Sequence, residues 1–338
     1  MNTNDMKPQP VDKWIVPGRT VDRIVVGSVS ELKKKVFLAA LSEISFLSHI
    51  TPEFVCCDNS GNPEQPVNSG AKCAGRRLNK MKSNDTNPTD STLYIAIENG
   101  VDTKNVPIPG RITLPENSDP KTVVDVCYVV LHLKEETFVS QSIPIDCPEK
   151  YFLEAMALDS PDFKLAEDGF EHTVGEVIHK AHPEIPANNW MADTRFSLIT
   201  RDTQMFGAIR TGLIKVLIAE NVAVFQDFPL PGVEFKDLSY VLGNPDLLRY
   251  LTEGMTYDML RLGWDKKCDK LAGLDARGFI YAPLIAMEID KGFIMIRKKG
   301  KLPGDKITLN YDTEYSNSDI EIMKETVVPG ENIILVDD

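Results

Sequence analysis

The sequence predicts an α/β protein of two domains, the first built on a mixed sheet and the second on a parallel one. Three observations lead there. At 338 residues the chain exceeds one ordinary core and suits two. Two apolar runs of strand character, LYIAIENGVD and VVDVCYVVLHL, lie between stretches with helical spacing. Beyond residue 270 short strands and helices alternate closely, the order that parallel strands joined by right-handed crossovers require.

Each element follows from its local pattern. Residues 1–20 are polar and proline-bearing and read as a flexible leader. RIVVGS (23–28) reads as a buried strand, and Glu31 to Leu47 as an amphipathic helix. A strand near Phe54 leads into the loop DNSGNPEQPVNSGA, followed by a helix from Lys72 to Met81 and a polar surface loop, SNDTNPTDS. Residues 148–195 mix short helices with loops. The segment 201–228 keeps helical spacing and reads as one long helix, able to couple the two domains rigidly. DFPLPGVEFKD is a proline-punctuated turn, and Asn244 to Leu262 is helical. Strands at 271–275, 293–298 and 333–338 then surround the helix ARGFIYAPLIAMEIDK. The domains are accordingly placed at 21–220 and 221–338.

Composition narrows the function. With 42% hydrophobic and 26% charged residues the chain is ordinary globular protein, neither fibrous nor disordered. A net charge of -13 argues against a nucleic-acid partner, because phosphate backbones select basic surfaces. Cys56, Cys57, Cys73, Cys127, Cys147 and Cys268 form no CxxC pair and no metal-finger spacing, so reduced thiols are expected. No secretory h-region and no apolar run of about 18 residues is present, which points to a cytoplasmic protein without a membrane span.

In parallel sheets ligands bind at the carboxyl ends of the strands. There the second domain places Asp275-Ala276-Arg277-Gly278, then Arg297-Lys298-Lys299-Gly300-Lys301, then Asp337-Asp338. Cations and a paired acid at neighbouring strand ends suit a diphosphate and a sugar diol with magnesium. His172, Glu176 and His179 share a helical face, with His182 close by. In so charged a segment a solvated face is the better reading than a zinc site. Trp190 and Met191 read as packing residues.

DFPLPGVEFKDLS, AGLDARGF, IRKKGKLPG, the Glu314-Tyr315 pair and ILVDD resemble adenine phosphoribosyltransferase, in order and at that family's spacing, from about Phe225 to Asp338. The resemblance implies a type I phosphoribosyltransferase sheet, and transfer of ribose 5-phosphate from phosphoribosyl pyrophosphate to adenine, giving AMP and pyrophosphate. It implies that Arg277, Arg297, Lys298 and Lys301 neutralise the leaving pyrophosphate together with magnesium. Glu314 would take the adenine proton, with Tyr315 beside it on a lid spanning Lys301 to Asp319. Phe235 would stack on the base, and Asp337 and Asp338 would hold the ribose hydroxyls or the metal. Lys236 stands where the family usually has arginine and offers no planar fork. The chain stops before the glycine-rich turn that cradles the 5-phosphate in this family, which implies an incomplete transferase domain. A homodimer is implied as well.

IVVGS with Lys33, SGNPEQP, YIAIENG, TVGEV, and NWMADTRF with RDTQMFGAIR resemble the inosine and xanthosine triphosphatases. They resemble still more closely the C-terminal domain of the proline-rich coiled-coil protein family. This implies an NTPase-like mixed sheet with a central cleft, Lys33 touching phosphate, and Glu98 and Asp125 holding magnesium. The hydrolases carry an asparagine where this chain has Ser30 followed by Glu31, and an acid there opposes a phosphate at the helix start. A non-catalytic domain that binds a protein partner is therefore placed ahead of hydrolysis.

Overall fold

The computed structural model describes residues 21–57, 61–104, 122–160, 168–312 and 317–337. Its contacts divide the chain into one unit up to Leu247 and a second from Leu248, so the expected boundary at 220/221 falls inside the first unit.

The first unit is built on a mixed sheet. It opens with β1 (Arg23–Val26), α1 (Glu31–Ser42), β2 (Glu53–Phe54), β3 (Gln65–Pro66) and α2 (Gly70–Asn84). Then come β4 (Thr92–Lys104), β5 (Thr122–Leu133), β6 (Glu136–Gln141), β7 (Ile145–Asp146), α3 (Glu149–Ala157), β8 (Gly169–Phe170) and α4 (Val174–Ala181). A 3-10 helix (Ala187–Ala192), α5 (Arg201–Ala219), the ribbon β9 (Ala223–Gln226) and β10 (Glu234–Asp237), and α6 (Ser239–Gly243) complete it. The sheet order is β2-β1-β4-β5-β6, with β7 paired to β5. β1 runs parallel to β2 and β4, while β4, β5 and β6 form an antiparallel meander.

The apolar run in β4 is continuous because both its faces are covered. Tyr94 and Ala96 meet Leu78 and Met81 of α2, and Leu93, Ile95 and Ile97 are buried as well. A second cluster joins Phe152 of α3, Val174 and Ile178 of α4, and Trp190 and Met191, which are packing residues as expected. Each such large side chain contributes about 1.5–3 kcal/mol by leaving water.

Two helices differ from expectation. α1 ends at Ser42, and the apolar positions Ile44 and Leu47 continue in turns closed by Ile44 N–H to Leu41 O and Leu47 N–H to Ile44 O. The long helix stops at Ala219, where Asn221 Nδ2 donates to Leu217 O at 2.7 Å. Residues 223–226 then alternate in exposure as a strand, so the segment 201–228 is not one helix.

The second unit contains most of α7 (Pro245–Arg261), then β11 (Lys270–Leu274), α8 (Gly278–Glu288), β12 (Gly292–Lys298), β13 (Lys306–Asp312), β14 (Asn317–Met323) and β15 (Ile333–Val336). The sheet order is β13-β14-β12-β11-β15, with β12, β11 and β15 parallel and β14 antiparallel to β12. The segment expected as a loop-like lid instead forms, in its described residues, the hairpin β13–β14. α8 begins tight against the sheet, because a Cβ on Gly278 would sit 2.4 Å from Val336 O. That approach requires glycine.

Candidate functional site

Register decides what gathers at the carboxyl edge of the second sheet. Leu274 pairs with Ile296, and Gly273 pairs with Val336, so Asp275, which follows β11, is level with Arg297 near the end of β12, and Asp337, which follows β15, is level with Leu274. Arg297 Nε lies 3.4 Å from Asp275 Oδ2, and Arg297 Nη1 lies 3.4 Å from Lys301 O. The guanidinium also sits 5.9 Å from the centre of the Phe279 ring, which is edge-on to Phe293. Arg277 occupies the N-cap of α8, where backbone amides point outward.

The turn after β12 presents its lysines unequally. Lys299 turns back to Asp319 at 2.5 Å; this hydrogen bond raises the Lys299 ammonium and lowers the Asp319 carboxyl from their ordinary values. Lys298 and Lys301 are exposed and have no ion-pair partner among the described residues. Arg297 is thus fixed between Asp275 and the Lys301 carbonyl, Lys298 and Lys301 are exposed at and just after the end of β12, and Asp337 is exposed after β15. Preorganised charge of this kind favours an anion without reorganisation on binding.

Glu314, Tyr315 and Asp338 lie outside the described residues. Phe235 and Lys236 lie on β10 in the first unit. There Phe235 packs edge-on to Phe228 at 5.1 Å, and Lys236 lies 4.0 Å from Glu234.

In the first unit, Lys33, Glu98 and Asp125 line one cavity of about 370 Å³ together with Asn188, Trp190 and Arg201. Lys33 Nζ donates to Ile97 O at 2.8 Å. Burial pushes its ammonium below the usual lysine range; Glu98 opposes that shift, and Arg77 and Arg201 add to it. Arg77 Nε donates to Glu98, and Arg201 Nη2 lies 3.1 Å from Asp125 Oδ2. Gln204 Nε2 donates to the Asp125 carbonyl at 2.9 Å. The two acids expected to hold magnesium are thus engaged by arginines. Arg77 lies in no motif read from the sequence, and Arg201, the first residue of RDTQMFGAIR, has no role assigned from it, because each lies on a helix whose partner strand only the fold supplies.

The histidine group is structural. Thr173 and Glu176 form a capping box at the start of α4, His179 Nδ1 lies 2.6 Å from Ile185 O, and His182 Nε2 lies 2.9 Å from Tyr151 Oη. Among the described residues no group of three or more His, Cys, Asp or Glu side chains could hold a metal. All six cysteines are free, and burial pushes Cys127 up to about 12. No helix among the described residues is long and apolar enough to cross a membrane.

A parallel sheet with cations and an aspartate collected at its carboxyl edge has the layout of an α/β enzyme that handles anionic substrates. Over 122 residues the chain is 40% identical to adenine phosphoribosyltransferase of Mus musculus, covering 36% of this chain and 67% of that protein. The Homo sapiens enzyme of that name is 39% identical over the same length. A crystal structure of adenine phosphoribosyltransferase from Saccharomyces cerevisiae, complexed with an imino-altritol bisphosphate and adenine, is 31% identical. It covers 37% of this chain and 72% of its own, with a TM-score of 0.36. No protein-family model matches. The chain belongs to the adenine phosphoribosyltransferase family, through about a third of its length. None of these relatives supports the triphosphatase or proline-rich coiled-coil likeness expected for residues 21–220.

Proposed function

We propose that the chain acts in purine salvage, transferring ribose 5-phosphate from phosphoribosyl pyrophosphate to adenine. The observation that carries this is the contact of Arg297 with both Asp275 and the Lys301 carbonyl at one carboxyl edge, in a stretch of 122 residues 40% identical to adenine phosphoribosyltransferase of Mus musculus. In the reaction the adenine ring nitrogen bonds to the anomeric carbon as the bond to the pyrophosphate oxygen breaks, and the ring nitrogen loses its proton. Arg297, Lys298 and Lys301 balance the charge that builds on the departing diphosphate, with Arg277 at the start of α8. Glu314 accepts the proton, with Tyr315 beside it.

Magnesium suits this edge in one mode only. It binds few protein carboxylates and takes its other ligands from substrate phosphates and water. Asp337, a strand-end oxygen donor beside the cations, fits that donor set, as does Asp338 by sequence. The ion supplies further charge neutralisation at the diphosphate. A homodimer and a cytoplasmic location belong to the same reading.

The first unit supports a second reading as a binding domain without hydrolytic activity. The Arg77–Glu98 and Arg201–Asp125 pairs favour it, because carboxylates already paired to arginines are poor ligands for the metal that triphosphate hydrolysis needs.

The transferase reading is tested by incubating the full chain with adenine, phosphoribosyl pyrophosphate and magnesium and separating the products by chromatography. AMP and pyrophosphate in equal amounts are expected. No AMP above the protein-free blank removes the assignment.

A further inference from the structure

Glu321 is a carboxylate of the second unit with no place in the reaction above, yet it is only 3% exposed. Burying a charged carboxylate is costly unless partners compensate. Its partners are specific. Oε2 accepts the Gly300 backbone N–H at 2.9 Å and lies 3.6 Å from Lys306 Nζ. Gly300 is the residue on which the cationic turn pivots, with φ +80, a conformation that favours glycine. The turn closes through Lys301 N–H to Lys298 O at 3.2 Å.

Glu321 is also the register partner of Arg297 across the antiparallel pair β12–β14, and Ile320 is that of Lys298. Two residues earlier on β14, Asp319 O accepts Lys299 N–H at 3.0 Å, while the Asp319 side chain holds Lys299 Nζ. Strand β14 thus grips the turn at Lys299 and at Gly300. The Lys298 backbone is paired to Ile320 and its side chain is exposed, as is that of Lys301, whose carbonyl receives Arg297.

We infer that Glu321 is a positioning residue for phosphoribosyl pyrophosphate. Its buried carboxylate fixes the Gly300 amide, and so sets where Lys298, Lys301 and Arg297 meet the diphosphate. Glu321 itself touches no substrate. The Lys299–Asp319 pair serves the same end, taking one lysine out of the binding set and using it as an anchor. This inference rests on the transferase reading and deepens it.

The test compares KM for phosphoribosyl pyrophosphate, KM for adenine and kcat in wild type, Glu321→Ala and Glu321→Gln. Loss of one charge-assisted hydrogen bond that orders a binding turn predicts a rise of about tenfold in KM for phosphoribosyl pyrophosphate in Glu321→Ala, with KM for adenine unchanged. Glu321→Gln keeps an oxygen that can accept the Gly300 N–H, and it restores most of the loss. An unchanged KM for phosphoribosyl pyrophosphate, a parallel rise in both KM values, or no rescue by glutamine overturns the assignment. Where Glu321→Ala does not fold, hydrogen exchange of the Gly300 amide in the wild type decides. Slow exchange is expected, and exchange at the rate of a free turn overturns it. Wild type without any turnover overturns the transferase reading itself, a result seen before any variant is made.

Discussion

Arg297 and Asp275, 22 positions apart in the chain, meet where two parallel strands end, with Nε 3.4 Å from Oδ2. The aspartate orients a guanidinium that otherwise has many rotamers, and the Lys301 carbonyl receives its other arm. A cation held in this way is ready for an anion before the anion arrives.

Replacing Arg297 with alanine therefore removes a charge-assisted contact worth about 1.5–3 kcal/mol, or about 10- to 150-fold in affinity for phosphoribosyl pyrophosphate. Arg297→Lys keeps the charge and loses the fork, so it recovers only part. Calorimetric titration of both variants checks this; equal affinities in wild type and Arg297→Ala would remove Arg297 from the site.

Gly278→Ala forces a methyl group against Val336 O, where the start of α8 touches β15. Overpacking of this kind costs about 1–3 kcal/mol. Denaturant unfolding should show a lower midpoint with increased exchange in β15 amides. An unchanged midpoint would mean that the close approach is not present in solution.

Acid stability of the first unit depends on Asp85. Burial favours its neutral form, but hydrogen bonds from Arg23, Tyr94 and the Asn87 amide outweigh this and hold it at about 2. Its folded value is lower than its unfolded one of about 3.9. The stabilisation is therefore complete above pH 4 and is lost as the pH falls through 2. Asp85→Asn should flatten the stability profile between those limits, measured by urea unfolding at each pH. A profile as steep as that of the wild type would show that another carboxylate governs it.

If the first unit binds without hydrolysing, inosine triphosphate with magnesium yields no pyrophosphate from the full chain. Release that Glu98→Gln abolishes would reverse that reading and return Glu98 and Asp125 to a catalytic role.

The carboxyl-edge grouping was legible because it depends on local features. Each strand's end is visible in its apolar run, and parallel pairing sets Asp275 level with Arg297, and Asp337 one residue earlier, whatever the loops do. The first-unit pairs were not. Arg77 and Glu98 are 21 residues apart, Arg201 and Asp125 are 76 apart, and only sheet register and helix placement bring them together. β6 escaped notice because Glu136, Thr137 and Val139 are all exposed and blur the alternation. The overlong helix arose at Val222 to Phe225, whose apolar spacing fits a turn of helix and an alternating strand equally well. Glu321 carried no signal, since a buried acid reads in sequence like any strand-face glutamate.

Calorimetric titration of the full chain in magnesium measures directly whether the edge formed by β12, β11 and β15 binds phosphoribosyl pyrophosphate. Saturable one-site binding that disappears in the double variant Arg297→Ala, Lys301→Ala is the predicted result. No heat of binding at millimolar ligand, or binding that the double variant retains in full, would contradict it.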